Sequence, residues 1–354
     1  MAIPQALGGL HEACFGVPDL ADAAEYWKAF GYTVIGRGRL GADAAEMLYG
    51  VPSALESLRL QHLDSDHGMV RLMCWEQPLG VGIGVAPLRA HGSRWVGQFV
   101  RSTLDVGNHA SAARRAGAPL TDTAASFIDL AAYNPQLYGG RKPQPFRDPL
   151  VGLREYTLIQ PLWRQAFLER FHYEPKLLGR IDEQSLLRSS QVVNASMIVA
   201  SDDQDVYAFY ERVLGLKATS VQEIPYEQAM ASRAVFDLRE GETHWCYVFE
   251  DPRSGASADS RRAGRLYLFR FLTSSALTDR LAVSQPGHLG CTLFSWRVRE
   301  LKTFRNDCID GGCTQVGELV ADEFDTPSLS CIAPDGMTWV FQQAGPDEVL
   351  SLTA

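Results

Sequence analysis

The stretch LHEACFGVPDLADAAEYWKAFGY, Leu10 to Tyr32, decides how the rest of the chain is read. An apolar run carries His11 and Glu12 side by side, turns through Val17-Pro18-Asp19, and continues as a helix that stops at Gly31. Asp19 suits the helix start because its carboxylate accepts free N–H groups at the positive end. Gly31 suits the stop because it adopts the left-handed conformation of a C-terminal cap. Ala24, Trp27 and Phe30 recur at helical spacing and predict one apolar helix face. On the preceding strand Ala13, Phe15 and Val17 share the face that packs on the helix, so Glu12, Cys14 and Gly16 share the other. A charged side chain on a half-buried strand needs a partner or a task. Small neighbours leave room for a cleft on the Glu12 face; the alternative is a surface glutamate at a strand start.

The pattern returns three times, as QFVRSTLDVGNHASAARRAGA from Gln98, ASMIVASDDQDVYAFYERVLGL from Ala195 and LFSWRVRELKTFRNDCIDGGC from Leu293. The acidic turn markers are Asp19, Asp105, Asp202 or Asp203, and Glu300; the closing glycines are Gly31, Gly117, Gly215 and Gly312. After the helices come β-rich runs such as LESLRLQHL, GMVRLMCW, HWCYVF and LSCIAPDGMTWVFQQ. One unit reads strand, helix, then about three strands. The fold class is therefore α+β, with four tandem βαβββ modules. A single unit leaves one sheet face bare, whereas two side by side curl into a half-barrel. Four predict two half-barrels, with modules paired in chain order: residues 1–160, a helical linker over 161–190, and residues 191–346.

Composition bounds the function. The 354 residues carry a formal net charge of −9, which argues against a nucleic-acid surface. Apolar runs are broken by Gly, Pro or charge before the ~20 residues a membrane helix needs, so no membrane association is expected. The start MAIPQALGGLHEA lacks the basic and apolar regions of a signal peptide. The seven cysteines include no short-spaced pair, and Cys308 and Cys313 fit no zinc-ribbon spacing, so all are read as free structural thiols and a cytoplasmic location is expected.

Four consecutive βαβββ units, with the VPDL turn at Val17–Leu20 and the late strand DPLVGLRE at Asp148–Glu155, resemble the vicinal oxygen chelate superfamily. That group includes glyoxalase I, epimerases, extradiol ring-cleaving dioxygenases and bleomycin-binding proteins, which share architecture rather than chemistry. The resemblance implies metal ligands on the first and last strands of paired modules. Its first-strand position falls on Glu12, Gln98, Ala195 (Ser196 in the other register) and Leu293. Its last-strand position falls on Glu155 and Val340. The N-terminal half thus presents Glu12, Gln98 and Glu155, all oxygen donors, and the C-terminal half Ala or Ser, Leu and Val; Gln98 is equally readable as exposed or backbone-bonded.

The resemblance then implies one divalent ion (Mg, Mn, Zn, Ni or Fe) held by Glu12, Gln98 and Glu155. Glu12 or Glu155 would act as acid and base in a metal-dependent lyase or isomerase. The substrate would be a small oxygenated metabolite passing through an enolate-like state. Arg71 is a candidate substrate anchor or a solvated side chain, and Tyr133 and Tyr138 are candidates for a lid. His11 is read as structural; His244 and His288 lack a partner at ligand spacing. The alternatives are an extradiol-type dioxygenase, disfavoured because no histidine falls at the matched positions, and a non-catalytic ligand-binding or sequestering protein. A homodimer is a candidate assembly.

Overall fold

The computed structural model describes residues 5–130, 135–174, 178–200, 205–250, 264–272 and 277–346. Module 1 comprises β1 (Ala6–Gly16), α1 (Leu20–Lys28), β2 (Tyr32–Leu40), an added helix α2 (Ala42–Tyr49), β3 (Leu55–His62) and β4 (Met69–Trp75). A crossing segment contains β5 (Ala90–His91). Module 2 has β6 (Arg94–Val100), α3 (Thr103–Arg115), β7 (Thr121–Asp122), β8 (Ser126–Asp129), β9 (Gly152–Ile159) and β10 (Arg164–Phe171). Module 3 has β11 (Ser189–Ile198), α4 (Asp205–Ala208, continued as a wider turn over Phe209–Val213), β12 (Lys217–Pro225), α5 (Met230–Val235), β13 (Thr243–Glu250) and β14 (Arg265–Leu272). After β15 (Thr278–Asp279), module 4 has β16 (Gly290–Val298), α6 (Leu301–Asp310), β17 (Val320–Ala321), β18 (Pro327–Ile332) and β19 (Thr338–Gln343).

The four modules and two half-barrel sheets are as predicted, but the pairing is not. Sheet 1 runs β17-β18-β19-β16-β1-β4-β3-β2, joining modules 4 and 1. Sheet 2 runs β12-β13-β14-β11-β6-β10-β9-β7, with β8 on β9, joining modules 3 and 2. The outer modules pair around the inner ones, so neither sheet is an N-terminal or C-terminal half. The expectation of chain-order pairing rested on proximity in sequence, and loop-closure entropy rises too slowly with length to enforce that. The two segments that cross between sheets run together: β5 and β15 form a parallel ladder, and Gly80 bridges His288.

The helical linker is also corrected. Residues 164–171 are β10, a central strand of sheet 2, and 178–188 hold turns. Trp163 and Phe167 pack on one side of this strand and Ala166 and Leu168 on the other. A strand buried on both faces shows no polar alternation, and its Trp163–Phe167 spacing imitates a helix.

The helix caps follow local chemistry. Asp19 accepts from the Asp22 amide at 2.8 Å, and Glu300 from the Lys302 and Thr303 amides at 3.1 and 2.6 Å. At α3 the cap is Ser102 rather than Asp105, whose carboxylate instead pairs with Arg188; Asp202 and Asp203 lie outside the described residues. The four closing glycines all have φ between 74° and 86°, the left-handed region. The largest core lies on the helix-bearing faces and joins both sheets: Phe15, Trp27 and Leu72 of module 1 meet Phe167, Val192 and Leu268. Trp163 stacks on Tyr26 of α1 at 4.6 Å. Each sheet keeps its opposite, concave face for other uses.

Candidate functional site

The concave face of sheet 1 is filled by the chain itself. Ala45, Leu48 and Tyr49 of α2 pack on Cys14, Met73, Leu293 and Val340. Beside this plug lies a buried ion cluster. Arg71 donates to Glu12 Oε2 from Nη2 at 2.6 Å and from Nε at 3.1 Å. The same guanidinium reaches Asp322 Oδ2, Glu323 Oε2 and Tyr49 Oη at 3.0, 3.0 and 2.9 Å. Arg59 Nε holds the other Glu12 oxygen at 2.5 Å, and Ser295 and Gln342 donate to Glu12 at 3.0 and 3.1 Å. Phe324 covers the cluster, its ring centre 4.1 Å from the Arg59 guanidinium carbon. The turn that brings Asp322–Phe324 inward presses on β2 at Gly38, where a Cβ would stand 1.9 Å from the Glu323 carbonyl oxygen. Burial alone would raise the Glu12 carboxyl, but Arg71 and Arg59 overcome it and hold it well below the usual carboxylate range. Every oxygen of Glu12 is already served.

The concave face of sheet 2 is closed at its two ends and accessible between them. Trp95, Ile159, Phe236 and Phe271 seal one end, and Phe99, Leu178 and Val193 the other. In the middle, Glu155 of β9, Asn194 of β11, Cys246 of β13 and Tyr267 of β14 remain half-buried. Gly97 lies under Asn194: a Cβ there would be 2.2 Å from Asn194 Oδ1, so glycine is required for the amide to cross. The sheet curls far enough that Glu155 acts on the Cys246 thiol, although four strands separate β9 from β13. Glu155 accepts a long 3.4 Å hydrogen bond from Thr157. Burial raises its carboxyl to about 7, with the Thr157 bond offsetting part of the shift. Burial, then the nearby Glu155, pushes the Cys246 thiol up to about 12. Tyr267 is likewise held protonated by burial, against the pull of Arg265.

Solved structures with a similar overall fold are known. A Bacillus subtilis protein assigned provisionally as a dioxygenase matches 97% of this chain and 87% of its own, with a TM-score of 0.55 and 11% identity. Glyoxalase I from Zea mays covers 97% of this chain and 94% of its own at a TM-score of 0.48 and 13% identity. The chain has the vicinal oxygen chelate fold. At these identities the likeness establishes architecture alone. Neither a family model nor a curated sequence matches the chain.

Within that fold the predicted trio is dispersed. Glu12 faces the concave side of sheet 1, in the phase its strand neighbours indicate, and is paired internally. Gln98 belongs to sheet 2 and faces the helix side with Val96 and Val100, donating to Ser190 O at 3.0 Å and accepting from Gln165 at 3.0 Å. Glu155 sits on the concave side of sheet 2, on the penultimate strand of its module rather than the last: β9 and β10 form an antiparallel hairpin. One residue decides the face of a strand side chain, which is why Gln98 was misplaced. Arg71 is fully buried in the ion cluster and offers nothing to a substrate. Tyr138 is on an exposed loop and donates to Pro149 O at 2.5 Å; Tyr133 lies outside the described residues. His11 is buried and held down to about 3 by desolvation. His244 packs among Phe236, Phe269 and Phe271, and burial lowers it to about 4. His288 is half-buried at the sheet crossing, its Nδ1 3.3 Å from Gln285 O.

The donor sets do not fit a divalent ion in either concave face. In sheet 1 a guanidinium already neutralises the converging carboxylates. In sheet 2 Glu155 meets a thiol, a phenol, an amide and a hydroxyl; on the same face Glu250 is paired with Arg265 and His244 is packed among Phe236, Phe269 and Phe271, so neither joins Glu155 as the further carboxylate or imidazole that a hard or borderline cation needs. Among the described residues, the one trio of His, Cys, Asp or Glu donors whose atoms approach within 4.8 Å is a set of cysteines elsewhere. Sequence reasoning missed Arg59, Asp322 and Glu323. The signal was present in LESLRL, where Ser57 and Arg59 share one face of β3, and in the acidic turn ADEFD.

Proposed function

We propose that the chain moves a proton on a small oxygenated molecule held in the concave face of sheet 2, as an isomerase or lyase, with Glu155 as base and then acid. The observation that carries this reading is a half-buried carboxyl, raised to about 7, in the middle of an accessible polar cleft. A group titrating near neutrality accepts a proton and returns it with little driving force lost, which contributes ~10²–10⁴-fold in rate. Asn194 offers an amide and Tyr267 a protonated phenol to an oxygen that gains negative charge. Phe99 and Leu168 on one side and Trp95 and Phe269 on the other supply apolar walls. No step passes through a metal, because the residues present do not form a site for one.

The test follows carbon-bound hydrogen exchange by NMR in D₂O, with the full chain and a panel of 2-oxo and 2-hydroxy carbonyl compounds. Exchange catalysed by the parent, lost in Glu155→Gln and partly kept in Glu155→Asp, is the expected result. Equal exchange by Glu155→Gln refutes the role of Glu155. Saturable binding of a panel member without exchange turns the reading to a ligand-binding protein of the same fold.

A further inference from the structure

Behind sheet 1, far in sequence from the sheet 2 cleft, three cysteines converge. Cys308 lies on the buried stripe of α6 with Leu301 and Phe304. Cys313 follows the helix stop, its amide donating to Cys308 O at 3.0 Å, which folds the chain back over the helix end. Cys331 is on β18, and the Thr314–Ile332 bridge, with bonds of 2.8 and 2.9 Å, draws β18 beside Cys313. The three Sγ atoms all lie within 4.8 Å of one another. All three are free thiols. Cys308 and Cys331 are closed off at 0% and 1% exposure, and Cys313 as a residue is half-buried, on the turn that follows α6.

Sulfurs within this limit span the edge of about 4 Å that a trigonal ligand set needs with metal–sulfur bonds of about 2.3 Å. No His, Asp or Glu ligand atom joins the trio among the described residues. Val316 and Leu319 pack against the same core, and Val213 fills the space beside Gly311; the nearby Asp307 carboxylate acts on Cys308 but supplies no ligand atom to the group. Soft ligands without a fourth hard donor select a soft ion of low coordination number over Zn²⁺ or Mg²⁺. We propose that Cys308, Cys313 and Cys331 form a site for one soft, thiophilic cation of the Cu(I) class, clamped between the C-terminal end of α6 and β18. Binding displaces thiol protons to solvent, and each thiolate donates a sulfur lone pair to the ion. This site is independent of the proton-transfer reading: either stands without the other.

The test uses the reduced full chain, anaerobic, with Cu(I) presented as its bicinchoninate complex. The parent is expected to withdraw one equivalent, to show ultraviolet sulfur-to-metal absorption, and to melt several degrees higher when loaded. Cys313→Ser, whose half-buried side chain leaves the core intact, is expected to lose the tight equivalent while keeping the parent's unloaded melting temperature. Cys74→Ser, at a half-buried thiol elsewhere, is expected to retain it. Failure to withdraw Cu(I), full binding by Cys313→Ser, or equally tight capture of Zn(II) by the parent would each overturn the proposal.

Discussion

Replacing Glu155 by glutamine isolates one carboxyl whose effect on stability has a definite sign. In the folded chain it titrates near 7, against 4.5 for an unperturbed glutamate. A carboxyl raised on folding binds its proton more tightly in the native state. Its stabilising contribution is therefore complete below about 4.5, declines as pH rises toward 7, and is gone above that. The full difference corresponds to about 3 kcal/mol. Partial solvent access at Glu155 reduces this, so we expect roughly 1–3 kcal/mol. Glutamine keeps the shape and the acceptor for Thr157 but has no charge to bury. Urea denaturation of parent and Glu155→Gln at pH 5 and pH 8 reads the difference directly, because every other titrating group cancels between them. The variant should gain on the parent by the stated amount as pH rises. Parallel stability curves across that range would refute the raised Glu155 carboxyl and with it the basis for proton transfer.

Two further substitutions probe the architecture. Arg71→Met leaves Glu12, Asp322 and Glu323 facing one another without their shared cation; breaking such a buried set costs ~3–5 kcal/mol and should appear as a melting temperature lower by several degrees at pH 7. Because Glu12 is held low in the folded state, that cost should shrink as pH falls below the unfolded carboxylate range of ~4, where Glu12 in the unfolded chain takes up a proton, and the parent and variant curves should converge there. At α3, Ser102→Ala should cost about 1 kcal/mol through the lost cap, more than Asp105→Ala, whose carboxylate holds only an exposed pair with Arg188; equal losses in chemical denaturation would return the cap to Asp105.

Legibility varied along the chain for identifiable reasons. The module rhythm was readable because a capped helix and a period-2 strand are local: Asp19, Glu300 and the four closing glycines act over three or four residues. Glu12 was correctly faced because Ala13, Phe15 and Val17 settle its strand phase. Gln98 was misfaced because its neighbours Phe99 and Val100 are apolar on both sides, packing in separate clusters. Strand β10 was read as helix for the same reason. Arg71 was visible as a cation on a strand, but not as the partner of Glu12, Asp322 and Glu323, of which two lie some 250 positions away along the chain.

By itself, the sequence determined that four βαβββ units form, that Asp19 and Glu300 cap α1 and α6, where the four closing glycines fall, and which face of β1 carries Glu12, since each depends on side chains a few residues apart. Tertiary structure alone decided that module 1 pairs with module 4 and module 2 with module 3. That choice brought Asp322 and Glu323 of module 4 to Arg71 and Glu12 of module 1, and set Asn194, Cys246 and Tyr267 of module 3 across from Glu155; the packing of β18 beside the end of α6 brought Cys331 to Cys308 and Cys313. Strand partners are selected by the fit of whole sheet faces, and a side chain's charge state depends on what that fit puts beside it.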